Sequence, residues 1–461
     1  MSSLLSLAHK HAASHLATCA TRPVGATASR DGLLAELRVP LVGHGDDPAR
    51  VIDALAAAAT RGTTGSTGPR YFGFVIGGSQ PVALAADWLT AAWDQNAGIY
   101  AASPLASVVE EVAADWLLDL LDLPRTARAA FVTGGQMANF TCLAAARHAV
   151  LQDAGWDVEA DGLNGAPRVN LVASAESHVT IDVALRYLGF GTRGITRVAT
   201  DDEGRLRADE LAAVLGGLSG PTIICAQAGN VNTGSFDPLA DVAGLARRHG
   251  AWLHVDGAFG LWARASRRHR WLAAGAELAD SWATDAHKWL NVPYDCGVAI
   301  VRRPDDLRAA MTSQAAYLIQ TGGSERDAVD WTPEFSRRAR GIPVYATLRA
   351  LGRDGIADLV ERCCALASTM AGLLAAAPGV RVLNDVVLNQ VLVRFGDDDE
   401  ITRAVVTGVQ QEGTCWLSGT NWHGLAAMRI SVSNWSTTDD DARRSVAAIL
   451  RVFRSLAPPP D

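Results

Sequence analysis

The most informative stretch of this sequence runs from residue 281 to residue 301 and reads SWATDAHKWLNVPYDCGVAIV. Its two ends, 281–284 and 298–301, are short apolar runs that predict buried β-strands. Only two of the 41 basic residues in the chain are lysines, Lys288 in this stretch and Lys10, so the other 39 are arginine. A lysine kept between apolar stretches of such a chain indicates a function that needs a primary amine, such as Schiff-base formation with a carbonyl. The alternative is an ordinary surface lysine.

Similar apolar runs recur before this stretch and alternate with helical patterns. The predicted strands are short and continuously apolar, and they cover 129–132, 169–173, 222–226, 252–255, 281–284 and 298–301. The helical patterns between them cover 137–151, 179–188, 209–215 and 239–248. Strands that are apolar on both faces and separated by helices predict an α/β fold, with a mostly parallel central sheet and helices on both faces. Such sheets bind ligands at the carboxyl ends of their strands.

The chain divides into three predicted domains. Residues 1–80 form a helical N-terminal segment, 81–340 a large α/β domain, and 341–461 a small α+β C-terminal domain. The polar segment 322–340 is predicted to be a mobile loop or a junction between the α/β domain and the C-terminal domain. The C-terminal domain is predicted to hold helices at 344–351, 357–374, 401–411 and 439–450, and strands near 380–383, 391–395 and 428–432.

Composition narrows the classes of function. The 49 acidic residues outnumber the 41 basic ones, and the net charge of −8 argues against a nucleic-acid partner. No apolar run reaches the ~18–20 residues of a membrane span, and the N-terminus lacks the pattern of a secretory signal. We therefore expect a cytoplasmic protein with no membrane partner. Seven cysteines without a C-x-x-C pair predict neither a disulfide framework nor a metal site.

Polar segments follow several of the predicted strands. Gly134 and Gly135 come after the first strand and open a helix, where free backbone N–H groups suit a phosphate; a plain tight turn is the alternative. His178 follows the second strand and could stack on a planar ligand, act as an acid or base, or cap a helix. Asn230 lies in the turn after the next strand and could bond a cofactor or shape the turn.

Asp256 ends a buried strand, where a lone carboxylate requires a cation or a hydrogen-bond donor. A pyridinium N–H is one such partner, and an arginine or a helix N-terminus is another. A phosphate cradle, a stacking imidazole, a buried acid and a Schiff-base lysine are together the parts that hold pyridoxal phosphate.

At these residues the chain resembles the pyridoxal-phosphate-dependent group II amino-acid decarboxylases, which have the fold type I transferase-like architecture. The resemblance covers roughly residues 70 to 450 and is most specific at His254–Phe259 and Asp285–Gly297. Segments 68–78, 227–234 and 428–434 also match. The resemblance implies pyridoxal 5′-phosphate as cofactor and release of carbon dioxide from an L-amino acid to give an amine, as a carbon–carbon lyase. It also implies a homodimer with active sites at the subunit interface.

The resemblance assigns roles to individual residues. Lys288 forms the Schiff base with the cofactor, Asp256 pairs with the pyridine nitrogen, and His178 stacks on one face of the ring. The remaining cofactor-binding residues are Gly134, Gly135 and Gln136 at the phosphate, Thr284 or His287 near it, Ala258 on the other ring face and Asn230 close to the ring hydroxyl.

One feature departs from the family pattern. Many members carry a loop tyrosine that returns a proton to the substrate carbon after carbon dioxide leaves, but residues 322–340 contain none. The nearest tyrosines are Tyr317 and Tyr345, and the aromatic residues inside the segment are Trp331 and Phe335. The proton would then come from His178, from water or from a partner subunit. Alternatively the reaction is diverted to oxygen and yields an aldehyde.

A few residues bear on the chemistry of the substrate side chain. Four aromatic residues fall where the resemblance places pocket walls and slightly favour an aromatic substrate, with core packing as the alternative: Tyr71, Phe72, Trp93 and Tyr100. Arg70 could instead grip an acidic side chain. Other reactions of the same cofactor stay open: cleavage of a Cα–Cβ bond by a lyase or aldolase, and transamination with Arg429 at the α-carboxylate. For Arg429, a structural ion pair is the favoured interpretation. A catalytically silent binding protein is the least favoured alternative.

Overall fold

The computed structural model describes residues 2–41, 43–312 and 325–456. Contacts within the chain define two compact units. One comprises 77–368 and 384–391, and the other comprises 1–76, 369–383 and 392–461. The division into domains at 1–80, 81–340 and 341–461 stays a prediction.

The larger unit is built on a seven-stranded sheet with the order β1-β7-β6-β5-β4-β2-β3. Its strands are β1 (Arg128–Val132), β2 (Asn170–Ser174), β3 (Ile195–Val198), β4 (Thr222–Gln227), β5 (Trp252–Asp256), β6 (Ser281–Asp285) and β7 (Gly297–Val301). Strand β7 runs antiparallel to both of its neighbours, β1 and β6, and the other pairings between described strands are parallel. The predicted α/β class with a mostly parallel sheet is confirmed.

Helices alternate with these strands, and four of them match the patterns predicted at 137–151, 179–188, 209–215 and 239–248. They are α4 (Pro81–Trp93), α5 (Pro104–Leu120), α6 (Gly135–Asp153), α7 (Val158–Asp161), α8 (Val179–Tyr187), α9 (Ala208–Gly216), α10 (Leu239–Arg248) and α11 (Pro304–Met311). Helix α6 buries a run of small side chains, including Ala138, Cys142 and Ala145, and these let its backbone lie close to the sheet. None of the described helices combines the length and the hydrophobicity needed to cross a membrane. Strand β3 escaped prediction because only its end residues are buried.

The smaller unit combines helices with a second sheet of order β10-β11-β9-β8. Its elements are α1 (Ser2–Thr18), α2 (Arg30–Leu37), α3 (Pro48–Gly62), β8 (Val380–Val382), β9 (Gln390–Phe395), α13 (Asp399–Glu412), β10 (Ser418–Trp422), β11 (Leu425–Ser431) and α14 (Asp439–Leu456), with the first two residues of β9 counted in the larger unit. Strand β10 is polar and was not predicted. Backbone bonds join distant segments here, as in the bond from Phe72 N to Trp416 O at 2.7 Å.

Helix α12 spans Gly341–Ala375 and contains one break. Gly352 has φ of 61°, a left-handed conformation that glycine adopts without steric cost. Two helical segments therefore meet at this residue, which agrees with the predicted helices at 344–351 and 357–374.

Candidate active site

One edge of the central sheet brings the predicted segments together, where β5, β6 and β1 end and the antiparallel β7 begins. Asp256 is the last residue of β5, and Asp285 is the last residue of β6. Asp285 pairs in register with Gly297 of β7, and Gly297 pairs with Val132 at the end of β1. The turn that follows Val132 is thereby placed beside Asp285, although about 150 residues separate the two along the chain.

This turn is the glycine pair that begins α6. The helix starts at Gly135, and its N-cap, Gly134, offers no side-chain hydrogen bond to the first turn. A Cβ atom on Gly135 would lie 2.6 Å from Asp285 Oδ2, and one on Gly297 would overlap the backbone of Gly134. Glycine is therefore required for the close approach of these strands. The uncapped N–H groups of a 19-residue helix make this point a suitable phosphate site. Gln136 follows with an exposed side chain.

Lys288 lies three residues beyond β6 and forms an ion pair with a buried carboxylate. Its Nζ is 3.0 Å from Asp285 Oδ2, and Asp285 is 1% exposed. The other oxygen, Oδ1, is buried without a hydrogen-bond partner in the described chain and lies 3.5 Å from His287 Nε2. Burial lowers the pKa of His287, whose Nδ1 accepts a hydrogen bond from Cys296 N at 3.1 Å. A neutral imidazole, a lysine amine and a carboxylate thus meet beside the glycine turn.

Asp256 is buried with neutral donors only. Its Oδ1 accepts from Ala258 N and its Oδ2 from Asn139 Nδ2, both at 3.1 Å. No arginine, lysine or histidine forms an ion pair with it in the described part of the chain. A buried carboxylate without a cation is costly unless a cation arrives from outside the chain. A protonated pyridine nitrogen satisfies this requirement.

His178 occupies the N-cap of α8. Its Nδ1 lies 2.8 Å from Thr180 Oγ1 and accepts a weak hydrogen bond from Thr180 N at 3.4 Å. The helix-capping interpretation therefore describes part of its role, and ring stacking stays a prediction.

Three other predicted cofactor residues make hydrogen bonds within the protein. Thr284 is fully buried and lies 3.4 Å from Ala258 O, which places the two predicted residues side by side. Asn230 Oδ1 accepts from Asn232 N and Thr233 N, so it shapes its own turn. Ala258 is half-buried just beyond β5. Their contacts with a cofactor stay predictions.

Sequence reasoning assigned no role to Asn139, His254 or Asp285. Asn139 lies in the segment already singled out at the start of α6. His254 precedes Asp256 by two residues in one strand, and this spacing places both on the same face of the sheet. That alternation was the signal available for His254. Asp285 adjoins the predicted lysine segment, but only the fold shows that its carboxylate reaches Nζ.

Arg70 lies in the smaller unit and is fully engaged there. It is 2% exposed, and it bonds Ala20 O, Thr414 O and Asp441 Oδ1. These contacts do not support the hypothesis that Arg70 grips an acidic side chain. Tyr71 and Phe72 are buried as well, and the ring of Tyr71 stacks on Trp416 with centroids 5.0 Å apart. Both residues are therefore part of the core, as the alternative interpretation expected.

Arg429, in β11 of the same unit, is different. It is 9% exposed, and in the described chain no acidic residue pairs with it and its Nε has no hydrogen-bond partner. Burial lowers its pKa to about 10. The described residues therefore contain no structural ion pair of Arg429.

The segment with the missing tyrosine is described from residue 325 onward. Trp331 packs against the core of the larger unit, with the guanidinium of Arg326 5.2 Å from its ring centroid, and Phe335 is 40% exposed. Tyr317 and residues 322–324 lie outside the described residues.

Taken together, the described residues fit pyridoxal phosphate. The glycine turn fits the phosphate, Asp256 fits the ring nitrogen, and Lys288 provides the amine. In the described residues, no cluster of histidine, cysteine or acidic side chains is arranged to hold a metal ion.

Comparison with known proteins agrees with this chemistry. The conserved domain of pyridoxal-dependent decarboxylases matches residues 38–395. L-2,4-diaminobutyrate decarboxylase of Rhizobium meliloti is 32% identical over 81% of this chain and 76% of its own length. Aromatic-L-amino-acid decarboxylase of Bacillus atrophaeus is 27% identical over 93% of this chain and 90% of its own length. Acidic amino acid decarboxylase GADL1 of Homo sapiens is 30% identical over 68% of this chain and 61% of its own length. The structure of Oryza sativa TDC with PLP and tryptamine has the same fold, with a TM-score of 0.91, 24% identity and coverage of 98% and 97%.

Proposed function

The chain belongs to the pyridoxal-dependent decarboxylase family and is a pyridoxal-phosphate-dependent amino-acid decarboxylase, and on that premise we propose that it converts an aromatic L-amino acid to its amine. The observation that carries the site assignment is the buried, cation-free carboxylate of Asp256 on the strand next to Lys288. This arrangement suits an electron-withdrawing ring, with the acid of Asp256 at one end of the ring and the amine of Lys288 at the other.

Pyridoxal phosphate supplies an aldehyde that binds amines and a ring that withdraws electrons from the substrate α-carbon. Lys288 supplies the amine that ties it to the chain, and Asp285 Oδ2, at 3.0 Å, accepts the hydrogen bond of Nζ whenever the lysine is released. Asp256 keeps a proton on the ring nitrogen because its own charge has no other cation to pair with. The N–H groups at the start of α6 anchor the phosphate.

The aromatic preference is supported by the side chains that the larger unit leaves open. Trp93 is 43% exposed at the end of α4, and Tyr100 is partly exposed, with its backbone N–H bonded to Asp327 Oδ1 at 2.7 Å. The engagement of Arg70 by Asp441 also removes one candidate grip for an acidic side chain.

An acidic amino acid is the second candidate substrate, because a relative named as an acidic amino acid decarboxylase, GADL1 of Homo sapiens, is 30% identical over 68% of this chain. A single product assay distinguishes the two candidates, since an acidic substrate would give the amine of aspartate or glutamate in place of an aromatic amine.

A product assay tests the function. Purified protein with added pyridoxal phosphate is incubated with the common L-amino acids and diaminobutyrate, and the products are analysed by mass spectrometry. We expect carbon dioxide and an aromatic amine. An aldehyde with ammonia would show that the reaction is diverted to oxygen. If the cofactor binds but no amino acid is turned over, the proposal is contradicted. That result would favour the alternative reaction, cleavage of a Cα–Cβ bond by a lyase or aldolase.

We also propose a homodimer. Helices α4 and α5 expose large apolar side chains of the kind that a second copy would cover, namely Trp88, Leu89, Leu105 and Val108, each 43–53% exposed. Sedimentation velocity should give about twice the 48.5 kDa mass of the chain. Leu105→Glu with Val108→Glu should shift the protein to monomer, whereas the same change at exposed Leu425 and Leu456 should not.

A further inference from the structure

The carboxylate of Asp256 is the end of a buried chain of hydrogen bonds that joins strands β5 and β6 to helix α6. Asn139 Nδ2 donates to Asp256 Oδ2, and Asn139 Oδ1 lies 2.9 Å from His254 Nε2. His254 Nδ1 lies 2.9 Å from Ser281 Oγ, which in turn accepts from Trp252 Nε1 at 2.9 Å. All five residues are at least 94% buried.

The direction of every bond in this chain follows from chemistry. A carboxylate only accepts, so Asn139 must present its NH₂ group to Asp256 and its oxygen to His254. His254 must then carry its proton on Nε2. Burial lowers the pKa of His254 to about 4, so the imidazole holds a single proton at neutral pH and its Nδ1 accepts. Because Nδ1 carries no proton, Ser281 donates its hydroxyl proton to Nδ1, while its oxygen receives the indole N–H of Trp252.

A branch of the same chain reaches His178. Asn139 Nδ2 also donates to Thr180 Oγ1 at 3.2 Å, and Thr180 Oγ1 lies 2.8 Å from His178 Nδ1. His178 Nδ1 accepts from Thr180 N and so carries no proton, and the threonine hydroxyl therefore donates to it. The amide of Asn139 is thus connected to Asp256 and to His178, two of the side chains proposed to meet the cofactor ring.

We infer that Asn139 and His254 are positioning residues, which act through Asp256 to hold its carboxylate aimed at the ring nitrogen of the cofactor. The inference deepens the proposed function and rests on the role given there to Asp256. A neutral relay suits this task, because it supplies a donor to the carboxylate without cancelling the charge that the pyridinium needs. A cation in place of His254 would weaken that charge.

The first experiment examines the relay in the cofactor-free, full-length chain. With histidine side chains labelled with ¹⁵N, NMR should show His254 protonated on Nε2, unprotonated on Nδ1 and unchanged between about pH 5.5 and pH 8. Comparison with His254→Gln identifies its signals among those of the 11 histidines. A proton on Nδ1, or a titration near the ordinary histidine pKa of 6.5, would overturn the inference.

The second experiment measures cofactor affinity by fluorescence titration. Asn139→Leu removes all three hydrogen bonds of the amide at similar volume. It should weaken pyridoxal phosphate binding roughly 10-fold to 100-fold, the equivalent of one hydrogen bond to a charged group. Thr141→Val is the matched control: it removes a buried hydroxyl of the same helix that bonds only Met137 O, and should change binding less than twofold. Equal affinity of the two folded variants would overturn the inference.

A third pair of variants separates positioning from packing. His254→Gln keeps an N–H that can reach Asn139 Oδ1 and should bind the cofactor as the parent does, whereas His254→Leu should behave like Asn139→Leu. Equal loss in both His254 variants would assign the residue to packing and overturn the inference. The NMR result is independent of catalysis, so a failed decarboxylation assay leaves it standing, and a failed relay leaves the decarboxylase proposal standing.

Discussion

Asp256 and Asp285 end neighbouring strands of one sheet, and both are buried, yet their surroundings are opposite. Asp256 has two neutral donors and no cation within the described chain, whereas Asp285 pairs with Lys288 and keeps one oxygen without a hydrogen bond. The same residue type at equivalent strand ends thus has only neutral donors in one case and an ion pair with the chain's own lysine in the other. Partner chemistry, more than position, distinguishes the two acids.

The largest effect is expected from Lys288→Ala, which removes the cation from this comparison. Turnover and the absorption band of the lysine-bound cofactor should both be lost. The other lysine in the sequence is Lys10, which lies in the N-terminal helix α1 and outside the strand ends that form the site. Absorbance spectra and the product assay measure the two losses. A retained band in this variant would show that the site assignment is wrong.

Asp256→Asn should lower kcat about 100-fold to 1000-fold, a loss typical of removing one preorganised electrostatic contact. An amide cannot hold the proton on the ring nitrogen, and it also faces the NH₂ group of Asn139. Steady-state kinetics and circular dichroism should show an intact fold with little activity. Asp237→Asn serves as the control, because that buried carboxyl bonds only the backbone of Leu206 and Gln227. If Asp256→Asn matched the parent enzyme, the ring-nitrogen role would be refuted.

Asp285→Asn should have a smaller effect, about a tenfold decrease in kcat, because the hydrogen bond to Nζ survives but loses its charge assistance. The matched control is Asp280→Asn, one strand-length away, where the carboxylate accepts from Leu253 N. Stopped-flow kinetics of both variants compare them directly. A loss as large as that of Asp256→Asn would mean that the two acids do not differ as described.

The smallest effect on turnover is expected from His254→Gln, whose consequence lies in stability against pH. Folding lowers the pKa of His254 from 6.5 to about 4, so between these values only the unfolded chain takes up the proton. His254 thus contributes stability above about pH 6.5 that is lost as the pH falls to about 4, about 3 kcal/mol in all.

Urea unfolding of the cofactor-free protein at pH 4 to 7 measures this contribution. Asp237, whose pKa burial raises to about 7, has the opposite pH dependence, but it is common to parent and variant and cancels in their difference. The free energy of unfolding should fall by about 3 kcal/mol more in the parent than in His254→Gln. Parallel pH profiles would show that His254 is not held neutral.

Much of the fold was predictable because its information is local. Continuous apolar runs identified β1, β2 and β4 to β7, and the helical patterns matched α6 and α8 to α10 within a few residues. The strands that escaped, β3 and β10, lack such runs, since their stability comes from pairing with a neighbour rather than from their own composition.

The candidate site was predictable only in part. The scarcity of lysine singled out Lys288, and the cost of a buried acid singled out Asp256, because both arguments depend on one residue and its immediate surroundings. For Arg70 a substrate carboxylate was an open alternative, and the structure pairs it with Asp441. For Arg429 an ion pair was favoured, and none is found among the described residues. The sequence does not show which acid a guanidinium meets. Ring stacking by His178, the phosphate contacts, the cytoplasmic location and the dimer stay predictions.

By itself the sequence determined the α/β class and the strand ends at which polar residues gather, and it singled out the amine and the acid that we propose for the cofactor. The tertiary structure alone decided which donor each acid receives. Asn139 and Asp256 are 117 residues apart, and His254 and Asn139 are 115 apart. Their contact depends on strand order, register and the position of α6 on the sheet, and these are properties of the folded chain as a whole, to which no local pattern of residues corresponds.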